Sequence, residues 1–134
     1  MLLLAFRFSS PYRFERSVPM PKPVDPTCKA FQTAIEVLGR PWTGLILGAL
    51  SAGPLRFSEV SARAQGVGDK ILSTRLKELE SRGIVARQVD PGPPVKVVYR
   101  LTDRGRAFEH VMEAIERWGR DLIADDAKMR RRSG

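Results

Sequence analysis

Lys70, Ser73, Thr74 and Lys77 fall close together in the segment GDKILSTRLKELESRGIV, residues 68–85. Ammonium groups neutralise anions, and hydroxyls and ammoniums donate hydrogen bonds to oxygen and nitrogen acceptors. The chemistry open to this set is recognition of a polar, negatively charged surface. Their spacing gives them a common direction. With Leu72 at the zero of a helical wheel and about 100° added per residue, Leu76 and Leu79 lie within roughly 40° of it. Lys70, Thr74, Lys77 and Ser81 point the opposite way, with Ser73 beside them and Arg75 on the flank. The spacing predicts a helix with one greasy edge and one basic, hydroxylated edge. Asp69 in its first turn suits the positive end of the helix dipole, and Gly83 closes its last turn.

Other reactive side chains are scarce. The chain has one histidine and one cysteine, too few for a structural zinc site or an intramolecular disulfide. His110 has no Cys, Ser or Asp at a catalytic spacing and reads as a surface or interface residue. Trp42 and Trp118 fall on helical stripes, where tryptophan is usually a core anchor; the other reading is an aromatic ligand pocket. No P-loop, dinucleotide fingerprint, nucleophile elbow or zinc-helix motif is present. No enzyme activity, metal or cofactor is expected.

The elements that must hold the 68–85 helix follow in order. FQTAIEVL, residues 31–38, puts Phe31, Ala34, Ile35 and Leu38 on one stripe, with Gly39 expected as a left-handed cap. WTGLILGALSAG, after Pro41, is apolar nearly all round and predicts a central buried helix stopped at Gly53-Pro54. RFSEVSARA predicts a third, short helix with Phe57, Val60 and Ala64 inward, and Gly66 and Gly68 turn the chain into the fourth. The period then changes to two. IVARQV and VKVVYRL flank the proline-stiffened DPGPP, so residues 84–101 read as a hairpin. Val95, Val97, Tyr99 and Leu101 share one face of it, and Lys96, Val98 and Arg100 the other. Thr102 then caps a final helix of about six turns by the helical rise.

Two helices joined by a glycine turn, the second long and basic outside, describe a helix-turn-helix; the hairpin after them is a wing. The fold class expected is mainly α with a small β-hairpin wing (α+β). The net charge of +8 fits a polyanionic partner only where it is concentrated. Residues 31–106 hold twelve Lys/Arg against seven Asp/Glu, whereas 107–123 hold two against four. Double-stranded DNA is the partner this pattern points to. Lys70, Ser73 and Thr74 are the expected base-edge contacts, Lys77, Arg75, Arg56 and Ser58 the phosphate contacts, and Lys96 with Arg100 the wing contacts. Arg75 has a second reading, as a brace for Glu78 or Glu59. The alternative function is a protein-binding module whose basic face meets an acidic partner.

The last helix carries Phe108, Val111, Met112, Ile115, Trp118 and Leu122 in one apolar stripe. More grease than one small core needs, this stripe is assigned with Phe31 and Ile35 to a two-fold homodimer interface formed by the N- and C-terminal helices.

The succession LGRPWTGLILGALSAGPLRFSEV, GVGDKILSTRLKELESRGIVAR and PPVKVVYRLTDRGRAF resembles the HxlR-type winged helix-turn-helix regulators, relatives of the MarR group, over roughly residues 28–120. The resemblance implies a homodimeric bacterial transcription factor, most often a repressor, on an imperfect palindrome. Some members use a cysteine near the position of Cys28 to detect electrophiles or oxidants, so Cys28 is a candidate redox sensor, and a small-molecule or electrophile effector is implied. Lys29 stands where the family commonly has proline after that cysteine, and Gly39-Arg40-Pro41-Trp42 where it commonly has Gly-Gly-Lys-Trp or a second basic residue. The other reading of Cys28 is a small hydrophobe packed beside the dimer helices. The sensor reading relies on Lys29, Arg40 and a helix start to lower its pKa.

The domain division expected is an irregular arm over 1–27, the winged helix over 28–123 and a basic tail over 124–134. MLLLAFRF is interrupted by Arg7 and falls short of the roughly 20 residues that span a bilayer, so no membrane segment is expected and the cytoplasm is the expected compartment. The change in character after Met20 makes it an alternative start.

Overall fold

In the computed structural model, residues 23–134 are described. Residues 1–22, which include Met20 and most of the expected arm, lie outside the described residues. The order is α1 (Lys29–Leu38), α2 (Thr43–Ser51), β1 (Leu55–Arg56), α3 (Phe57–Arg63), α4 (Asp69–Ser81), β2 (Val85–Asp90), β3 (Lys96–Leu101), α5 (Asp103–Arg106) and α6 (Glu109–Arg132).

α2 and the leucine edge of α4 contribute to one core. Ile46, Leu47 and Leu50 of α2 and Leu72, Leu76 and Leu79 of α4 lie in it with Leu55, Val60, Ala64, Val67, Val85 and Leu101. All are buried. Burial of such a side chain is worth about 1.5–3 kcal/mol before conformational entropy is subtracted, so three leucines on one edge decide which side of α4 is buried.

The end of α4 and the base of the wing are built together. Gly83 adopts φ 69, a left-handed cap, its N–H donating to the Glu80 carbonyl (2.9 Å) while the Ile84 N–H donates to Leu79 (2.9 Å). The Thr102 hydroxyl donates to the carbonyl of Gly83 and accepts from the Gly105 N–H at 3.2 Å. One side chain thus ties the end of α4 to the return strand and caps α5.

Several details depart from expectation. Gly39 closes α1 in the right-handed region (φ −73), so it is not a left-handed cap. The hairpin is part of a three-stranded antiparallel sheet of order β1-β3-β2, with Leu55 opposite Tyr99 and Arg56 opposite Val98. A two-residue strand carries too short an alternation to show in sequence. The single final helix is divided: α5 ends at Arg106, and α6 runs 24 residues, about 36 Å by the helical rise. α6 continues to Arg132, so residues 124–132 of the expected basic tail are helical. Alanine, lysine and arginine are strong helix formers, and cations suit a helix C-terminus.

Gly105 is packed so closely on the Ile84 carbonyl that an added Cβ would overlap it. Gly105→Ala is expected to lower stability by about 1–3 kcal/mol, as overpacking against fixed backbone does, read as a fall in the thermal midpoint.

Candidate nucleic-acid interface

The leucine edge of α4 faces the core, so its opposite edge is the outer surface of the domain. Lys70, Thr74 and Lys77 are exposed there and Ser73 is half-buried beside them. Among the described residues, no ion pair joins Lys70, Lys77, Arg56, Lys96 or Arg100 to a carboxylate. The Thr74 hydroxyl donates to the Lys70 carbonyl at 2.9 Å, which leaves its oxygen lone pairs outward as acceptors. Ser58 is exposed in the first turn of α3. Ile71, which sequence reasoning passed over, is an exposed apolar residue on the flank of α4. Its signal was an isoleucine off the leucine edge.

The sheet collects the remaining cations. Arg56 pairs with Val98, so Lys96 and Arg100, two residues either way along β3, are its diagonal neighbours on the same face, roughly 7–8 Å away. Lys96 starts β3 opposite Asp90 near the hairpin tip. Arg100 sits at the base of the wing, in a crevice with Ser51, Pro54, Arg106 and Glu109. Lys96 and Arg100 are thus about 13 Å apart along the strand and serve different ends of the wing.

Arg75 does not join this surface. Its side chain is only 14% exposed; Nε donates to the Pro41 carbonyl (2.9 Å) and Nη1 reaches both Glu78 oxygens (3.4 Å each). Arg75 is corrected from a phosphate contact to an internal brace. Two of its three guanidinium nitrogens already hold partners within the chain, and a move to a phosphate would give those up. Arg40 also pairs with Glu78, a contact that sequence reasoning missed because 38 residues separate the two. Its hydrogen bond is the main reason the Glu78 carboxyl lies below its ordinary pKa. That stabilisation is complete above the ordinary glutamate range and is lost as pH falls through the depressed value.

Cys28 is exposed in the single chain. It is the N-cap of α1, and the backbone N–H of Phe31, then that of Ala30, lower its thiol pKa. Arg40 contributes nothing: it lies at the other end of α1 and is committed to Glu78. Trp42 is half-buried against the core, whereas Trp118 is 60% exposed on α6 and is not a core anchor. His110 is exposed.

The apolar faces divide as well. Phe108 packs on the chain's own core and Met112 lies against Gly48, so these two serve the monomer's interior in part. Phe31, Ile35, Val111, Ile115, Trp118 and Leu122 are exposed, joined by Leu45 of α2. Among the described residues, no helix is long and apolar enough to cross a membrane.

A family model for HxlR-like helix-turn-helix proteins matches residues 37–127. The chain belongs to that family. The HTH-type transcriptional regulator YodB of Bacillus subtilis (strain 168) is 43% identical over 91 residues, spanning 68% of this chain and 81% of YodB. The solved reduced form of YodB from B. subtilis matches with a TM-score of 0.64 over 68% of this chain and 89% of that one, at 43% identity. Its quinone-bound form matches at 0.62, with 37% identity over 70% and 98%. The oxidised form of the redox regulator HypR matches at 0.64, with 32% identity over 69% and 95%. This HxlR-like chain is a DNA-binding transcriptional regulator with a winged helix-turn-helix.

Two outcomes separate the grip from the brace. Lys77→Ala is expected to lower the salt slope of DNA binding by about one counterion, whereas Arg75→Ala leaves the slope unchanged and lowers the melting temperature. For Cys28, the pH profile of alkylation by iodoacetamide is expected to have its midpoint below that of a cysteine in a short unstructured peptide.

Proposed function

We propose that this regulator acts in the cytoplasm as a homodimeric repressor that binds an imperfect palindrome and releases it when Cys28 is modified. The observation that carries the dimer is α6: it has 24 residues, and none of them is buried in its own chain. A lone helix with Val111, Ile115, Trp118 and Leu122 in the open leaves its apolar stripe in water, and a second copy is the economical cover. Crevices of about 450 and 560 Å³ flank its first turns, lined by Ala34, Val37 and Leu47 on one side and Leu45, Gly48 and Ala49 on the other. Phe31 and Ile35 of α1 extend the same face. A two-fold dimer then offers two α4 helices to successive major grooves, about 34–36 Å apart.

In each subunit Lys70, Ser73 and Thr74 read base edges, and Ile71 meets a thymine methyl. Lys77, Arg56 and Ser58 hold phosphates, and Lys96 and Arg100 extend the contact along the wing. The Lys128 to Arg132 end of α6 adds sequence-independent attraction.

Release begins at the N-cap of α1. The Cys28 thiolate adds to an electron-poor carbon of a quinone, forming a C–S bond. One proton from solvent and one from the attacked carbon then convert the two ring oxygens to hydroxyls. The adduct sits at the start of a helix assigned to the dimer face, so it alters the spacing of the two reading helices. Support comes from the exposed thiol with its lowered pKa and from the redox and quinone-bound states of the relatives.

Genome-wide footprinting with and without quinone tests the whole reading; protection of palindromic promoter sites that disappears on treatment is expected. Cys28→Ser is expected to stay on DNA under the same dose. Trp118→Glu with Ile115→Glu is expected to halve the mass seen by light scattering and to abolish protection; a wild-type chain of monomeric mass would remove the dimer.

A further inference from the structure

A helix held by one apolar edge is free to roll about that edge. Leu72, Leu76 and Leu79 decide which side of α4 is buried, but they leave its rotation and its depth soft, because apolar contacts have no direction. Base-edge hydrogen bonds tolerate little of either. A directional restraint off the leucine edge is therefore needed, and the α1–α2 corner supplies it. Arg40 bonds Glu78; Arg75 bonds the Pro41 carbonyl at 2.9 Å and both oxygens of Glu78 at 3.4 Å. One turn further on, Arg82 approaches Glu36 of α1 at 3.8 Å.

The corner is itself held in an unusual shape. Trp42 has φ 72 and is the non-glycine residue with positive φ among those described. A bulky side chain adopts that conformation only where its surroundings enforce it. Its ring lies over the turn that leads into α4, where a Cβ added to Gly66 would be 3.4 Å from it. Corner and turn thus grip α4 near its beginning through the indole and in its later half through the ion network.

We propose that Arg40 and Glu78 are positioning residues for operator selection: their pair sets the roll of α4 on the core, although Glu78 need touch no DNA. This rests on the reading of α4 as the base-reading helix and deepens it. Electrostatics alone argues the opposite effect for Glu78. A carboxylate on a helix that meets phosphates repels them across a Debye length of about 8–10 Å, so deleting it should tighten binding to any duplex. The two roles therefore predict opposite signs.

The experiment compares the full chain on two duplexes: a promoter fragment that the wild-type protein protects, and a shuffled duplex of the same length. Glu78→Gln is expected to weaken binding to the protected fragment at least tenfold, while binding to the shuffled duplex holds or tightens. Arg40→Gln should show the same selective loss, Arg40→Lys should retain most of the selectivity, and the Arg40→Gln/Glu78→Gln double variant should be no worse than the worse single one. Arg40 is 54% exposed, so its variants keep the reading available even where Glu78→Gln folds poorly. Equal tightening on both duplexes, or losses that multiply in the double variant, would overturn the inference while leaving α4 as the reader. A wild-type chain that distinguishes no duplex from its shuffled form would remove that underlying reading, and this inference with it.

Discussion

The burial of the α4 leucine edge in the core it shares with α2 and the sheet is the constraint on which the remainder rests. A helix that hides Leu72, Leu76 and Leu79 must turn Lys70, Thr74 and Lys77 outward, because the helical period leaves no other side for them. Everything attached to α4 inherits that orientation. Gly83 reverses the chain at its end, Thr102 fastens the return strand to the same point, and the wing therefore leaves the body at a set place relative to the basic edge. A hydrophobic contact, without direction of its own, acquires direction from the pattern of polar groups around it.

That contact also explains why so much was legible in the residues. Periodicity identifies which side of a helix is buried, and the helices of the reading head, the hairpin and the cap at Thr102 followed from it. What periodicity cannot register is contact between residues far apart in the chain. Arg40 and Glu78 are 38 residues apart, and the arginine on the flank of α4 looked equally suited to a phosphate or to a neighbouring glutamate. Burial decided it: a guanidinium 14% exposed and bonded to a carbonyl is committed inside. β1 escaped because two residues carry no period, and the last turns of α6 escaped because a run of arginines resembles a solvated tail when no packing is in view.

α1 joins the two ends of the molecule's chemistry. Its first residue is preceded by the exposed thiol of Cys28, and its far end runs into the corner where Arg40 and Pro41 meet α4. A ten-residue helix separates a solvent-facing sulfur from the corner that bonds α4. The acidic character of 107–123 keeps the first turns of α6 from competing for the same polyanion, and the helix turns basic only at its far end.

The two indoles occupy contrasting places, Trp42 wedged over the Gly66 turn and Trp118 in the open on α6. Nature has thereby installed two intrinsic fluorophores in separate compartments of one small polypeptide. The wavelength and quenching of the first follow the packing over the Gly66 turn, and those of the second respond to anything that covers α6, so ultraviolet emission can follow the two places independently without any added dye.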